Sequence, residues 1–343
     1  MKIGLVGYQG GGKSTVFELL TGQTPDPAKV QSGQVGVAVV PDERFDKLVA
    51  IHNPKKIVPA KIELFDTPGL DRVQQDANAQ RLGVIREAAA LVHVVGAFAG
   101  GDVPADVAAF NDDAILADLQ VMSNRIERLK KDVVKPRPDR DQLQAELDAL
   151  LPLAERLESG ESLLDVEFSA VQNTVTRSFA LLTRKRQLIA INTAEVGTHA
   201  AETAALEAEG YRVVGAPFGL ELELQSLPEK DRAEFAAEMG LGEPSRAALL
   251  AAIFDVTDQI TFYTSGEKEV HAWLLKRGST VLEAADSIHS DLARGFVRAE
   301  IWSVDDLLRL GSERDLKAAG LNHVEGKEYV VQDGDEVFIR SGV

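Results

Sequence analysis

The chain has no cysteine, only three methionines and two tryptophans, and aromatic residues make up 6% of its 343 positions. Without thiols there is no disulfide framework, no thiolate metal site and no thiol redox switch, and a reducing compartment suits the chain. No apolar stretch approaches the roughly 20 residues of a membrane-spanning helix. Met1-Lys2-Ile3 opens a strand and not a basic, apolar and small-residue leader, so the expectation is a cytoplasmic protein with no membrane partner. Positive charge is also short, with 37 Lys and Arg against 54 Asp and Glu for a net −17. That balance argues against a whole-surface nucleic-acid clamp and leaves a local patch for any RNA contact. What is present is globular: 45% hydrophobic residues, in a chain longer than one compact core usually holds, predict two or three domains.

The richest segment is Gly7-Tyr8-Gln9-Gly10-Gly11-Gly12-Lys13-Ser14, a complete G-x-x-x-x-G-K-S/T phosphate loop. It follows the apolar strand Ile3-Gly4-Leu5-Val6 and opens a helix-like run from Thr15. Glycine backbones at 10 to 12 can curl their N–H groups round a phosphate, and a helix N-terminus adds free donors and a favourable dipole. In such a loop Lys13 serves the β- and γ-phosphates and Ser14 ligates Mg²⁺. A glycine-rich turn with a chance Lys-Ser is the bland alternative.

A second segment, Lys61 to Asp66, alternates as a strand and ends in Asp66-Thr67-Pro68-Gly69. In phosphate-loop enzymes the strand-end Asp holds Mg²⁺ and the Gly backbone N–H senses the γ-phosphate, roles that fall to Asp66 and Gly69. A βαβ architecture would bring both loops to the carboxyl ends of neighbouring parallel strands. The buried-strand pattern Gln187 to Ile191 then leads into Asn192-Thr193-Ala194-Glu195, where a guanine-specific enzyme carries N-K-x-D. An Asp at the fourth position accepts from the guanine N1–H and amine; Glu195 is one methylene longer, which weakens the case for GTP without establishing ATP. The strand from Tyr211 ends in small residues, and Ala216 could set backbone amides near a base, though a plain strand-to-loop junction explains it equally.

Asp66 and Asn192 stand 126 residues apart, roughly twice what one strand and two helices require. The excess reads as two helices, Asn111 to Val133 and Asp139 to Glu158, separated by Lys135-Pro136-Arg137-Pro138: an antiparallel hairpin. Residues 121–140 carry seven basic against three acidic side chains. A solvated helix face and a contact for RNA or another acidic partner both account for this. From Gln259 the pattern becomes short strands (260–264, 270–275, 298–302), one main helix from Val281, and a hairpin or tight turn at Gln332-Asp333-Gly334-Asp335 flanked by 328–331 and 337–339. With 10 basic and 15 acidic residues, 259–343 is not a basic RNA-binding surface.

Together these segments resemble the YchF-type Obg-like ATPases over nearly the whole chain. The resemblance rests on Gly7 to Thr15, Val35-Gly36-Val37 through Val40-Pro41-Asp42, Asp66 to Leu70, Ile85-Arg86-Glu87, His93-Val94-Val95 and Asn192 to Glu195. It is densest in Phe262 to Val343, with Thr264-x-Gly266-x-Lys268-Glu269-Val270, Ile288-His289-Ser290-Asp291, Arg294-Gly295-Phe296 and Val331-Gln332-Asp333-Gly334-Asp335. It implies an α/β fold: a P-loop NTPase with a doubly wound, mainly parallel sheet, an inserted antiparallel α-helical coiled coil, and a C-terminal ubiquitin-like α+β (TGS) domain. The corresponding boundaries are 1–104 and 181–258 for the ATPase domain, 105–180 for the insertion and 259–343 for the last module. Implied too are ATP as ligand with GTP the alternative, Mg²⁺ as cofactor, and a role on the ribosome or with translation and stress-response partners. Nucleotide contacts would come from Gly7, Gly10, Gly11, Gly12, Lys13, Ser14, Thr15, Asn192, Thr193, Glu195 and Ala216, metal ligation from Ser14 and Asp66, and catalysis from Lys13, Gly69 and Leu70.

Leu70 takes the place of a water-orienting Gln, and a Leu cannot hydrogen-bond water, so slow hydrolysis is expected, with ordinary packing the alternative account of Leu70. The chain departs from the family at Gly10, usually an Asn linked to a monovalent cation; at Val30 and Gln31, usually Thr-Ile; at Asp71 to Asp76, in place of a glycine-rich switch; and at Gly96, usually Arg. His93, inside an apolar run, reads as a core residue bonded to backbone in preference to a catalytic one. His271 and His289 read as structural or surface residues, and no side-chain spacing supports a zinc site.

Overall fold

The computed structural model describes residues 1–29, 31–73, 77–98, 100–242 and 244–342. The strands are β1 (Lys2–Val6), β2 (Gln34–Val39), β3 (Lys56–Val58), β4 (Lys61–Asp66), β5 (Ala90–Gly96), β6 (Gln187–Asn192), β7 (Arg212–Ala216), β8 (Gln259–Thr264), β9 (Glu269–Lys276), β10 (Phe296–Ser303), β11 (His323–Glu325) and β12 (Asp335–Ser341). The helices are α1 (Lys13–Thr21), α2 (Glu43–His52), α3 (Asn78–Ile85), α4 (Val103–Asp132), α5 (Arg140–Glu158), α6 (Ala170–Thr176), α7 (Ala200–Ala208), α8 (Phe218–Ser226), α9 (Glu229–Glu238), α10 (Ser245–Thr257), α11 (Val281–Ile288), α12 (Ser290–Arg294), α13 (Val304–Leu310) and α14 (Glu313–Ala318). They form two compact units, Met1–Gly36 with Glu63–Val256, and Val37–Ile62 with Thr257–Val343.

The first unit is built on a sheet of order β2-β4-β1-β5-β6-β7. Its pairings β4·β1, β1·β5, β5·β6 and β6·β7 are all parallel. Strands β1, β5 and β6 are unbroken apolar runs because parallel strands covered on both faces have no solvent side to alternate toward. The register aligns Leu5 with Asp66, Gly96 with Asn192, and Asn192 with Ala216. Every loop that carries a nucleotide motif therefore leaves the same edge of the sheet.

The insertion folds as the expected pair of helices, with α4 reaching back to Val103 beyond the anticipated Asn111. Asp102 caps that end by accepting from the Ala105 N–H at 3.1 Å. Met122, Ile126 and Leu129 pack with Leu147, Leu150 and Leu157 between the helices. At its base Asp118, wholly buried, accepts from the Arg86 guanidinium and from the backbone N–H groups of Leu182 and Thr183. A buried carboxylate survives only with its lone pairs satisfied in this way, which gives the Ile85-Arg86-Glu87 motif its structural reason.

The second unit carries a mixed sheet of order β11-β10-β12-β8-β9-β3. Here the sequence expectation needs three corrections. Residues 37–62, assigned to the nucleotide domain by their place in the chain, pack with this unit: β3 pairs parallel with β9, and Asp42 both caps α2 and accepts from the Tyr263 hydroxyl. Residues 332–335 form the tight turn, with Asp335 N–H donating to Gln332 O at 3.2 Å, but 328–331 form no hairpin with 337–339. Gly334 N–H donates to Thr261 O at 2.8 Å and Asp333 accepts from Thr261 N–H at 2.8 Å, so the turn is tied to β8, and β12 runs parallel to β8 and antiparallel to β10. One main helix was expected, whereas α2 and α11 to α14 are all present.

Candidate nucleotide site

Local geometry at the phosphate loop follows from its glycines. Gly12 lies at φ 97°, where a side chain would be strained, and a Cβ there would come within 2.2 Å of Asn192 Nδ2. Helix α1 starts at Lys13, whose Nζ turns back and donates to Tyr8 O at 2.7 Å. Lys13 is 7% exposed; burial lowers its pKa to about 8, with Arg81 pushing the same way and Asp66 opposing. Ser14, exposed, donates to Asp66 Oδ2 at 3.0 Å. Burial raises the Asp66 pKa, while Ser14 and Lys13 counter it.

The two motif loops are laced together: Gln9 N–H donates to Leu70 O at 2.9 Å and Leu70 N–H to Gly7 O at 3.0 Å. A Cβ at Gly69 would meet Lys13 Nζ at 2.6 Å and Gln9 Cα at 3.1 Å, so any side chain there would displace the ammonium. A cavity of about 710 Å³ opens over this arrangement, lined by Gly10, Lys13, Ser14, Asp66, Gly69 and Arg81 among others. A hydroxyl and a carboxylate in contact are hard oxygen donors of the kind Mg²⁺ takes alongside water and phosphate oxygens. Among the described residues no cluster of three or more His, Cys, Asp or Glu side chains offers an all-protein metal cage.

At Leu70 the structure favours the packing alternative. Its side chain is fully buried in a cluster with Val6, Tyr8, Leu82 and Phe110, and it does not line the cavity. The parallel bridge between Tyr8 and Leu70 turns it inward, so its role is packing. Gly96 has a steric reason, since a Cβ would stand 3.0 Å from Gly11 Cα and 3.2 Å from Phe98 Cε1. Gly10 lies at φ 79° with open space around it. Val30 and residues 74–76 lie outside the described residues.

Asn192, buried at the end of β6, aims Nδ2 at Gly11 O (3.5 Å), and its own carbonyl accepts from Ala97 and Phe98 N–H. Thr193 N–H donates to Ala216 O at 3.0 Å, and the Thr193 hydroxyl donates to the Glu195 carbonyl at 2.9 Å. Glu195 itself is exposed, while Thr15 and Ala216 are half-buried. Sequence reasoning missed a supporting layer on α4: Tyr8 donates its hydroxyl to Asp113 at 3.0 Å, and Arg72 forks onto Asp106 while lying 4.4 Å from the Tyr8 ring centre. His93 is fully buried, and neither ring nitrogen has a hydrogen-bond partner among the described residues, so the expected backbone bond is absent. It packs on Phe110 with ring centroids 4.4 Å apart.

Three of the seven basic side chains of 121–140 are held by carboxylates. Arg125 forks onto Glu146 at 2.6 and 2.7 Å, Lys135 reaches Asp132 at 2.8 Å, and Arg137 binds Asp139 at 2.9 Å. Arg128, Lys130 and Lys131 stay exposed with no ion pair among the described residues. Among those residues no helix is long and apolar enough to cross a membrane.

Comparison with known proteins bears on this geometry directly. Residues 2–134 match a family described as 50S ribosome-binding GTPase, and residues 259–341 match the YchF-GTPase C-terminal family, described as a protein of unknown function (DUF933). The chain is 33% identical to the ribosome-binding ATPase YchF of Bacillus subtilis, with 99% of each chain covered. It is 30% identical to Obg-like ATPase 1 of Oryza sativa subsp. japonica, covering 100% of this chain and 92% of the relative. The solved Schizosaccharomyces pombe YchF GTPase superposes with a TM-score of 0.79 at 22% identity, over 99% of this chain and 97% of the other. With a P-loop NTPase unit carrying an inserted helical hairpin, a YchF-type C-terminal unit and relatives matched from end to end, the chain belongs to the YchF family.

Proposed function

We propose that this chain is a Mg²⁺-dependent nucleotide switch that binds ATP, hydrolyses it slowly, and acts in the cytoplasm on the ribosome. The observation that carries the reading is the convergence of Lys13, Ser14 and Asp66 on one cavity beside a glycine loop in which Gly12 leaves no room for a Cβ. In hydrolysis a water oxygen bonds to the terminal phosphorus while the bridging oxygen keeps the electron pair of the broken bond. The products are ADP and inorganic phosphate, with the proton released by water passing to phosphate or solvent. Ser14 and Asp66 would hold Mg²⁺, which supplies charge neutralisation when bound. Lys13 offers its ammonium to the β- and γ-phosphates, and the Gly69 amide lies on the loop that senses the last of them.

The ribosome enters from the names of the relatives, and the hairpin residues Arg128, Lys130 and Lys131 are the charge this chain offers to ribosomal RNA. We assign residues 259–343 to the TGS class on the resemblance of their motifs. With a Leu packed inward at the water-orienting position, turnover is expected on the order of minutes per nucleotide. A nucleotide sensor that scarcely hydrolyses is the second reading, favoured by that same inward Leu70. A GTPase is the third, and it turns on whether the exposed Glu195 reaches a base. Calorimetric titration with ATP, GTP and their diphosphates in Mg²⁺, followed by turnover with and without ribosomes, separates all three. Tight ATP binding with slow, ribosome-stimulated turnover supports the proposal; GTP preference or zero turnover selects an alternative.

A further inference from the structure

Arg81 brings charge to the phosphate cavity from an element that no motif marks. It lies within α3, half-buried, and lines the same cavity as Gly10, Lys13, Ser14 and Asp66. Its Nη1 donates to Asn78 Oδ1 at 3.3 Å. Asn78 is 4% exposed and clamps the backbone just past Gly69: its Oδ1 accepts from Asp71 N–H at 2.8 Å and its Nδ2 donates to Asp71 O at 2.9 Å. The guanidinium is thus anchored to the loop that follows the Asp66-to-Gly69 motif.

Its two arginine neighbours are treated differently. Arg72 is neutralised by Asp106 and Arg86 by Asp118, both on α4, whereas among the described residues Arg81 has no carboxylate within ion-pair distance. Arg81 and Lys13 face one cavity as like charges, and the pressure is felt on Lys13, whose ammonium Arg81 disfavours. Two cations converging on a cleft with neutral anchors are arranged for a polyanion, and a guanidinium fork matches phosphate oxygens.

We propose that Arg81 contacts the terminal phosphate of the bound nucleoside triphosphate and stabilises the charge that builds on its oxygens as the bridging bond breaks. The assignment rests on the nucleotide reading above. It supplies from within the chain a cationic group on the transferring phosphate, the kind of device that is worth orders of magnitude in related switch enzymes and that remains compatible with slow turnover when no Gln orients water.

The test compares wild type with Arg81→Ala and Arg81→Lys in the full chain, each first shown by thermal melting to be folded. Affinities for ADP and for a non-hydrolysable ATP analogue are measured calorimetrically in Mg²⁺, with single-turnover hydrolysis alongside. Arg81→Ala is expected to leave ADP affinity within about threefold, to weaken the analogue about tenfold or more, and to slow hydrolysis about 100-fold. Arg81→Lys should recover analogue affinity more than rate, because a point charge lacks the fork. Unchanged analogue affinity and rate in Arg81→Ala, or equal losses for ADP and analogue, would overturn the assignment while leaving the nucleotide reading intact. A wild-type chain that binds neither ATP nor GTP would overturn both.

Discussion

Positive charge is handled in opposite ways at the hairpin tip and at the phosphate cavity. At the tip, Arg125, Lys135 and Arg137 each end on a carboxylate at 2.6 to 2.9 Å, so the stretch with the largest basic excess is partly closed to outside anions. At the cavity, Lys13 donates to a backbone carbonyl, with Asp66 only nearby, and Arg81 donates to an amide oxygen; among the described residues neither makes an ion pair with a carboxylate. The lesson is that counting charges locates candidates, while the identity of the acceptor decides which ones remain available to a ligand.

The sharpest way to break the comparison is to remove one cation from each region. Lys13→Ala should weaken ATP binding at least about 100-fold, whereas Arg125→Ala should leave it within about twofold, both read by calorimetry. Equal effects would mean that the acceptor does not matter. Next in size is the backbone that holds Lys13 in place. Gly12→Ala, at φ 97° with its Cβ driven to 2.2 Å from Asn192, should cost about 3 kcal/mol in denaturant unfolding. Gly160→Ala, at φ 80° in open space, should cost about 1 kcal/mol.

A third comparison is electrostatic and runs between the units. Burial, with Lys13 and Arg72 adding to it, lowers the His93 pKa to about 3, so the unfolded chain binds the extra proton and stability is lost as pH falls from 6.5 toward 3. The difference between wild type and His93→Phe should shift by about 2 kcal/mol between pH 6.5 and 5. Glu336 in the second unit has the opposite sign. Burial raises its pKa to about 7, against hydrogen bonds from Ser265 and Trp302, so its contribution is lost as pH rises from 4.5 through 7. Glu336→Gln should remove that slope, and urea midpoints across pH 4.5 to 8 measure both.

The smallest expected effect lies at the base-reading loop. Glu195→Asp should narrow an ATP preference by a few-fold in competition binding, because Glu195 is exposed and one methylene changes its reach. An unaltered ratio would assign specificity to the backbone around Thr193 and Ala216.

The juxtaposition of the two loops was legible because each is local: Gly7 to Ser14 and Asp66 to Gly69 are contiguous motifs, and parallel pairing brings them together. Leu70 was ambiguous in the sequence because a motif position says where the backbone goes and not which way the side chain turns; its bridge to Tyr8 sends it into the core. Arg81 was invisible because the role proposed for it comes from α3 passing the cavity and from the lack of an ion-paired carboxylate among the described residues, neither of which is a sequence pattern. The 328–331 strand failed for a related reason. Its composition is right, but the turn that follows spends Asp333 and Gly334 on Thr261 of β8. Likewise 37–62 joined the second unit through β3 pairing with a strand more than two hundred residues away.

The most direct test of the central claim, that Lys13, Ser14 and Asp66 form one Mg²⁺-nucleotide site, is calorimetric titration of the wild-type chain with ATP in Mg²⁺ and again in chelator. The account predicts one ATP per chain, bound at least about tenfold more weakly without Mg²⁺, with that metal dependence abolished in Asp66→Ala. Equal affinity with and without Mg²⁺, or a metal dependence that survives Asp66→Ala, would contradict it.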